Sequence, residues 1–191
     1  MSKIIFVATV AETHLAFLQG QASSLQKNGY EIVLVSSPSK RLNEVCQNEK
    51  LVYKPINIGR RISPLRDVLT TIKLFFLFVR QNPDLVHLST PKAAFLGSIA
   101  AFFSLVPNRV FLIRGSVTGA DRGWSSTLNR WCEWLTVRLS NEVLVVSPSL
   151  LDFLRNQRVL KKYEGRVIAN GMSNGIDSQR FKPAYSVSPE F

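Results

Sequence analysis

Short runs of apolar, often β-branched residues alternate along this chain with longer segments in which apolar residues recur at helical spacing. Seven of these runs have the length and composition of strands. They cover residues 4–9, 32–36, 52–58, 85–88, 110–113, 143–146 and 166–169. Because helical segments separate the runs, the pattern predicts an α/β domain with a parallel sheet of about seven strands.

The predicted strands are apolar almost throughout, which indicates that helices cover both faces of the sheet. Turn residues mark the helix ends, as where Asn82-Pro83 ends the third helical segment just before a strand. Since crossovers between parallel strands are right-handed, we predict one doubly wound, Rossmann-like domain over residues 1–177. Residues 178–191 are predicted to be a hinge and tail. In this fold, ligands bind beyond the carboxyl ends of the strands.

Composition and charge limit the class of protein. The 191 residues are 46% hydrophobic and 19% charged, which suits a folded globular domain, and the formal net charge is +11. The two cysteines, Cys46 and Cys132, lie far apart in predicted helices, so we expect no disulfide, no metal site and a reducing compartment. The most apolar segments, 68–79 and 93–106, are shorter than the roughly 20 residues that a membrane-spanning helix needs.

The loop after the first strand, residues 10–14, lacks a nucleotide-binding signature. No two of the ten glycines stand two positions apart, as GxGxxG requires, and neither Gly-Lys-Ser nor Gly-Lys-Thr occurs. We therefore expect no dinucleotide cofactor and no P-loop. His14 in this loop is a candidate catalytic residue, since histidine exchanges a proton near neutral pH, and packing at the helix start is its alternative role. His87, among apolar residues of the fourth strand, is predicted to be a core residue.

Two other loops carry groups that suit an anion. Thr90 is predicted to cap the helix after the fourth strand, and Lys92 stands beside that helix N-terminus, where free N–H groups attract negative charge. A solvated surface lysine is the alternative. Arg114, Gly115 and Ser116 follow the fifth strand, where a guanidinium can bind a phosphate through two parallel hydrogen bonds and a glycine allows close backbone approach.

Four segments then resemble motifs of glycosyltransferase family 4. They are HLSTPKA at 87–93, LIRG at 112–115, VVSPSL at 145–150 and NGMSNGID at 170–177. Their order and spacing over nearly the whole chain resemble the N-terminal half of that family. The similarity is greatest to bacterial enzymes that extend lipid-linked sugars for capsule, O-antigen or exopolysaccharide.

The resemblance implies the GT-B fold, in which two Rossmann domains face each other and the N-terminal half holds the acceptor. It implies that Asn174, Gly175 and Asp177 lie at the hinge between the halves. The family's donor site uses two glutamates with seven residues between them, and no two glutamates of this chain have that spacing. We therefore expect the acceptor half of a retaining hexosyltransferase, inactive alone, as a gene fragment, a truncated product or one subunit of a split enzyme.

The resemblance also implies the partners and the place of action. The acceptor would be a polyprenyl-diphosphate-linked saccharide, and a nucleotide sugar would bind only with a second domain. From their positions at the carboxyl edge of the sheet, and not from the resemblance, His14 is predicted to be catalytic, and Thr90, Lys92, Arg114, Gly115 and Ser116 are predicted to bind the acceptor. Many relatives have a histidine where this chain has Arg114. The protein would work in the cytoplasm, peripherally on the inner face of the cytoplasmic membrane.

A predicted helix over residues 65–80 combines apolar residues at helical spacing with arginines at both ends. Its apolar positions are Leu65, Leu69, Ile72, Phe75, Phe76 and Val79, and the arginines are Arg60, Arg61, Arg66 and Arg80. We expect most of the apolar residues to belong to the core. Those left outside, together with the arginines, would favour an anionic membrane surface.

A non-enzymatic basic module that binds nucleic acid or an anionic membrane surface is the alternative function. The basic residues are dispersed, however, with Lys40-Arg41, Arg60-Arg61 and Lys161-Lys162 as the only adjacent pairs. The chain has no recognised nucleic-acid motif, and its aromatic residues lie in apolar helices. We therefore expect no nucleic-acid partner.

Overall fold

The computed structural model describes residues 2–18, 20–116, 124–169 and 171, which contain six strands and seven helices. The strands are β1 (Lys3–Val7), β2 (Glu31–Ser36), β3 (Val52–Pro55), β4 (Leu85–Ser89), β5 (Asn108–Ile113) and β6 (Glu142–Val145). The helices are α1 (Ala11–Phe17), α2 (Gln21–Lys27), α3 (Lys40–Asn48), α4 (Pro64–Gln81), α5 (Pro91–Phe103), α6 (Trp124–Leu139) and α7 (Pro148–Asn156).

The six strands form one parallel sheet in the order β3-β2-β1-β4-β5-β6. Strands β2 and β3 follow one another on one side of β1, and β4, β5 and β6 follow one another on its other side. The strand order therefore reverses between β1 and β4. In doubly wound sheets this reversal leaves a ligand-binding crevice at the carboxyl edge. The predicted fold class is confirmed.

The seventh predicted strand, residues 166–169, contributes only one parallel bridge in the part of the chain that the structure describes. This bridge joins Arg166 to Leu144 of β6. Extended pairing stops because the backbone turns soon afterwards, with φ of 51° at Ala169 and 78° at Gly171. These left-handed conformations do not occur within a regular strand.

The hydrophobic core has one part on each face of the sheet. Helices α1, α2 and α3 pack against one face, while α4, α5, α6 and α7 pack against the other. Helix α5 approaches the sheet closely because small buried residues line it, namely Ala93, Ala94, Gly97, Ala100 and Ala101. A Cβ atom at Gly97 would lie 2.6 Å from Leu88 Cδ2, so only glycine fits this approach without a shift of the leucine. Helix α5 therefore lies close to the sheet, between its neighbours α4 and α6.

Helix α4 turns a different face to the core from the one that we expected. Thr70, Leu74 and Phe78, which are four residues apart, are buried. Of the six apolar residues predicted to be mostly core, five are exposed, namely Leu65, Leu69, Ile72, Phe76 and Val79. That prediction was wrong because both faces of this helix are rich in apolar residues, and contact with α5 selects which face is buried. Among the described residues, no helix is both long and apolar enough to cross a bilayer.

Candidate functional site

Two threonines join the loops after β1 and β4, the two strands between which the strand order reverses. The Thr9 N–H donates to Thr90 Oγ1 over 3.0 Å, and the two hydroxyl oxygens lie 2.8 Å apart. Thr90 precedes α5, but its hydroxyl bonds to Thr9 and makes no capping bond to the helix. Thr90 therefore stands at the predicted N-cap position, but its side chain does not cap the helix, because the neighbouring loop competes for the hydroxyl.

The backbone of Thr90 is strained, since its φ is 73° and its ψ is 135°. A positive φ is uncommon for residues other than glycine and is an outlier for a β-branched side chain. Such conformations cost about 1 to 3 kcal/mol and persist where surrounding contacts hold them, as they do at many binding sites. The hydrogen bonds to Thr9 supply that constraint here.

His14 lies in α1, and its ring is buried at 3% exposure. Its Nε2 atom lies 2.9 Å from the Val35 carbonyl oxygen of β2. A carbonyl only accepts hydrogen bonds, so Nε2 carries the proton of the neutral ring. Burial, with a smaller contribution from the nearby charge of Arg114, lowers the pKa of His14 to about 4. The imidazole is therefore uncharged at neutral pH.

Arg114 extends from the carboxyl end of β5 over the ring of Phe17 in α1, with its guanidinium carbon 4.5 Å from the ring centroid. This is a cation–π contact. Burial lowers the pKa of Arg114, which still carries its charge at neutral pH. Its charge acts on His87 as well as on His14, although burial is the main cause that lowers the pKa of His87 to about 4. These groups form one cluster beside α1.

The ring of His87 packs against Phe6 of β1, with the ring centroids 4.9 Å apart. The side chain is half-buried between apolar strands. These contacts suit the core position that the sequence predicted for His87.

Lys92 and Ser116 point away from the Arg114 cluster. Lys92 Nζ forms an ion pair of 2.8 Å with Asp67 Oδ1 of α4 and donates to the Arg61 carbonyl. The Ser116 hydroxyl donates to the buried Glu133 of α6 over 2.6 Å. The structure therefore brings His14 and Arg114 together, whereas Lys92 contacts α4 on the other face of the sheet.

Gly115 lies in the chain between Arg114, which contacts α1, and Ser116, which contacts α6. A Cβ atom at this position would meet no other atom within 4 Å, so packing does not require the glycine. The predicted hinge residues Asn174, Gly175 and Asp177 lie outside the described residues, as do residues 178–191.

The sequence reasoning missed three residues of the site, namely Thr9, Phe17 and Glu133. Thr9 ends the first apolar run, one position before the loop of residues 10–14. Phe17 and Glu133 look like ordinary helix residues in the sequence. Only the contacts with Arg114 and Ser116 distinguish them, so no sequence signal identifies these two.

The sequence profile of glycosyltransferase family 4 matches residues 17–176, and the chain belongs to this family. It is 27% identical over 180 residues to the capsular polysaccharide biosynthesis glycosyltransferase CapM of Staphylococcus aureus. That match covers 94% of this chain and 46% of the relative. A second relative is the UDP-Gal:alpha-D-GlcNAc-diphosphoundecaprenol alpha-1,3-galactosyltransferase of Escherichia coli, 23% identical over 84% of this chain and 41% of the relative.

Solved structures show the same fold. A glycosyltransferase from Rickettsia africae superposes with a TM-score of 0.72 and 14% identity, over 98% of this chain and 46% of that one. The chain spans about half the length of the relatives that it matches. The family assignment agrees with the resemblance seen in the sequence motifs.

Proposed function

We propose that this chain is the acceptor-binding half of a retaining glycosyltransferase. The enzyme would move a sugar from a nucleotide sugar to a polyprenyl-diphosphate-linked saccharide during synthesis of capsule, O-antigen or exopolysaccharide. The functions of the two relatives support this substrate class, since one acts in capsule synthesis and the other on a diphosphoundecaprenol-linked sugar. The nucleotide sugar would bind mainly to a second domain outside these 191 residues.

The observation that carries the proposal is the position of Arg114. Its guanidinium is held against Phe17 at the carboxyl edge, beside two histidines that are neutral at physiological pH. A fixed, planar cation in a partly buried place suits a diphosphate, which accepts paired hydrogen bonds. The register between β4 and β5, continued by one residue, puts Thr90 opposite Ile113 and hence next to Arg114. The strained threonine and the arginine thus flank one crevice.

His14 is proposed to handle or orient the proton of the acceptor hydroxyl. A neutral imidazole can accept a proton, and the low pKa keeps this form at physiological pH. The bond from Nε2 to Val35 fixes the ring and its tautomer. Lys92 is proposed to reach the acceptor after exchanging its contact with Asp67 for one with phosphate.

Peripheral attachment to an anionic membrane surface is part of the proposal. The exposed residues of α4 form an apolar stripe with Arg66, Lys73 and Arg80 on the same helix, all exposed to solvent. A helix of this kind can lie in the headgroup region, where each basic residue adds about 1 kcal/mol of attraction. This would place the crevice close to a lipid-linked acceptor.

Titration calorimetry tests the acceptor assignment directly. We expect a diphosphate-linked sugar to bind this chain at least ten-fold more tightly than the same sugar without its diphosphate, because charge-assisted hydrogen bonds contribute about 1.5 to 3 kcal/mol each. Equal affinities for the two ligands would contradict the proposal.

A further inference from the structure

A groove runs along the outer surface of α5. Because α5 lies close to the sheet, α4 and α6 extend further from the sheet on either side of it and form the walls of the groove. The floor is formed by Lys92, Phe95, Leu96 and Ile99 of α5. The walls are formed by Val68, Thr71 and Ile72 of α4 and by Leu128, Trp131 and Cys132 of α6. On each helix these positions are three or four residues apart, so one continuous face of each helix lines the groove.

The groove has the size and chemistry of a site for an apolar ligand. Its volume is about 580 Å³, within the range of roughly 300 to 1,000 Å³ that is common for small-molecule sites. Trp131 is 50% exposed and Ile72 is 44% exposed. The rings of Phe95 and Trp131 meet edge to face across the groove, with centroids 6.1 Å apart. Large apolar side chains are thus left in water along a concave surface.

One end of the groove is polar and lies at the carboxyl edge of the sheet. This end holds Arg60, the Lys92–Asp67 ion pair and the buried Glu133, which is bonded to Ser116. Ser116 is two residues beyond Arg114, so the polar end lies at the same edge of the sheet as the proposed diphosphate site, on the opposite face. Beyond the other end, the exposed rings of Phe102 and Phe103, the last two residues of α5, continue the apolar surface.

We infer that this groove holds the hydrocarbon chain of the acceptor lipid, with the diphosphate at the crevice and the chain extending along α5. The inference rests on the proposed function and adds a binding site for the lipid part of the substrate. The arrangement matches an amphipathic ligand, because Arg60 and Lys92, the basic residues in the described lining of the groove, stand at the end near the crevice. A flat lipid surface would not use the enclosed floor at Phe95 and Ile99, whereas a single hydrocarbon chain would.

The two cysteines offer a direct measurement. Cys132 lines the groove and is partly accessible, whereas Cys46 is buried in the core on the opposite face of the sheet. Alkylation of Cys132 therefore reports occupancy of the groove, and alkylation of Cys46 reports unfolding. Burial raises the pKa of both thiols, so the reaction is followed at mildly alkaline pH by peptide mass spectrometry.

Geranylgeranyl diphosphate at saturation should slow alkylation of Cys132 at least ten-fold, whereas inorganic diphosphate should leave the rate unchanged. Shortening the chain by one isoprene unit should weaken binding by roughly ten-fold, as expected for about 0.3 kcal/mol from each buried atom. Alkylation of Cys46 should stay constant throughout. Anionic vesicles that contain no diphosphate lipid should protect Cys132 less than saturating geranylgeranyl diphosphate does, because docking through the exposed face of α4 covers one wall of the groove and not its floor. Equal protection by such vesicles would overturn the inference in favour of leaflet docking.

Two matched substitutions separate the groove from the diphosphate site. Ile72→Glu places a charge on the groove wall, and Phe153→Glu places one on α7 outside the groove, where Phe153 is 36% exposed. Ile72→Glu should weaken geranylgeranyl diphosphate binding at least ten-fold, without changing inorganic diphosphate binding, and Phe153→Glu should change neither. If geranylgeranyl diphosphate binds through its diphosphate but leaves Cys132 unprotected, the groove assignment fails and the proposed function stands. If prenyl chains protect Cys132 although diphosphate adds no affinity, the proposed function fails and the groove stands.

Discussion

The hydroxyl groups of Thr9 and Thr90 lie 2.8 Å apart, although 81 positions separate the two residues in the sequence. This contact joins the loop after β1 to the loop after β4. It also holds Thr90 at a positive φ that its β-branched side chain disfavours. The strain is therefore supported by a specific partner at the candidate site.

The contact predicts an unusual order of stability for variants of Thr90. Thr90→Ala loses the hydrogen bonds and keeps the strained φ, so we expect a loss of about 1 to 3 kcal/mol. Thr90→Gly loses the same bonds but relieves the strain, and should be more stable than Thr90→Ala by about 1 kcal/mol. Urea denaturation of both variants measures this. A glycine variant less stable than the alanine variant would contradict the role of the backbone conformation.

The two histidines predict how stability depends on pH. The pKa of each is lowered to about 4 in the folded chain, so the unfolded chain binds more protons as the pH falls below about 6.5. Stability should therefore be highest above pH 6.5 and fall between pH 6.5 and 4, by a total of about 3 kcal/mol for each histidine. Free energies of unfolding measured across this range test the prediction.

Variants assign the effect to each ring. His14→Gln keeps a donor for Val35, and His87→Phe keeps an aromatic ring beside Phe6; each should reduce the pH slope by about half. A slope that neither variant changes would mean that other groups cause the loss.

Arg114→Ala should weaken binding of a diphosphate-linked acceptor by about ten-fold to a hundred-fold, because it removes paired, charge-assisted hydrogen bonds. It should leave binding of the same sugar without diphosphate nearly unchanged. Arg114→Lys keeps the charge and loses the planar fork, so its affinity should lie between those of the other two proteins. Calorimetry with both ligands measures this. Equal weakening for both ligands would mean that Arg114 shapes the loop instead of reading phosphate.

The ion pair between Lys92 and Asp67 predicts that substitutions of its two partners will have opposite effects on acceptor affinity. If Lys92 reaches phosphate by leaving Asp67, Asp67→Ala should free it and strengthen binding, while Lys92→Ala should weaken binding less than Arg114→Ala does. Both variants should lose about 1 kcal/mol of stability. A double-mutant cycle for stability and for affinity separates the two roles. Acceptor affinity that neither substitution changes would restrict Lys92 to a structural contact between α4 and α5.

The exposed stripe of α4 predicts salt-sensitive membrane binding. Leu65 is 82% exposed at the start of this helix, and Leu69 is also exposed. Replacing both by serine should reduce partitioning onto anionic vesicles by at least ten-fold, since burial of each leucine side chain contributes a free energy of about 1.5 to 3 kcal/mol. Ile168→Ser, at an exposed position far along the chain from α4, serves as the control and should have little effect. Equal partitioning onto neutral and anionic vesicles at low salt would reject the electrostatic part of the mechanism.

The alternation of apolar runs and helical segments was sufficient to predict the parallel sheet and the edge at which its loops meet. These features depend on local periodicity and on the right-handedness of crossovers, and both can be read from the sequence. The four motifs, taken in order over nearly the whole chain, were sufficient to indicate the family. The sequence also indicated that the segment beginning at Arg166 has strand character, although it forms a single bridge.

Only the tertiary structure decided where the candidate side chains point. Lys92 and Arg114 follow adjacent strands, yet Lys92 contacts Asp67 on one face of the sheet and Arg114 lies over Phe17 on the other. The face of α4 that is buried, and the groove that forms above α5, depend on how closely α5 approaches the sheet. These outcomes depend on contacts between residues far apart in the chain, where packing and hydrogen-bond competition outweigh the local pattern. Sequence periodicity alone therefore does not predict these outcomes.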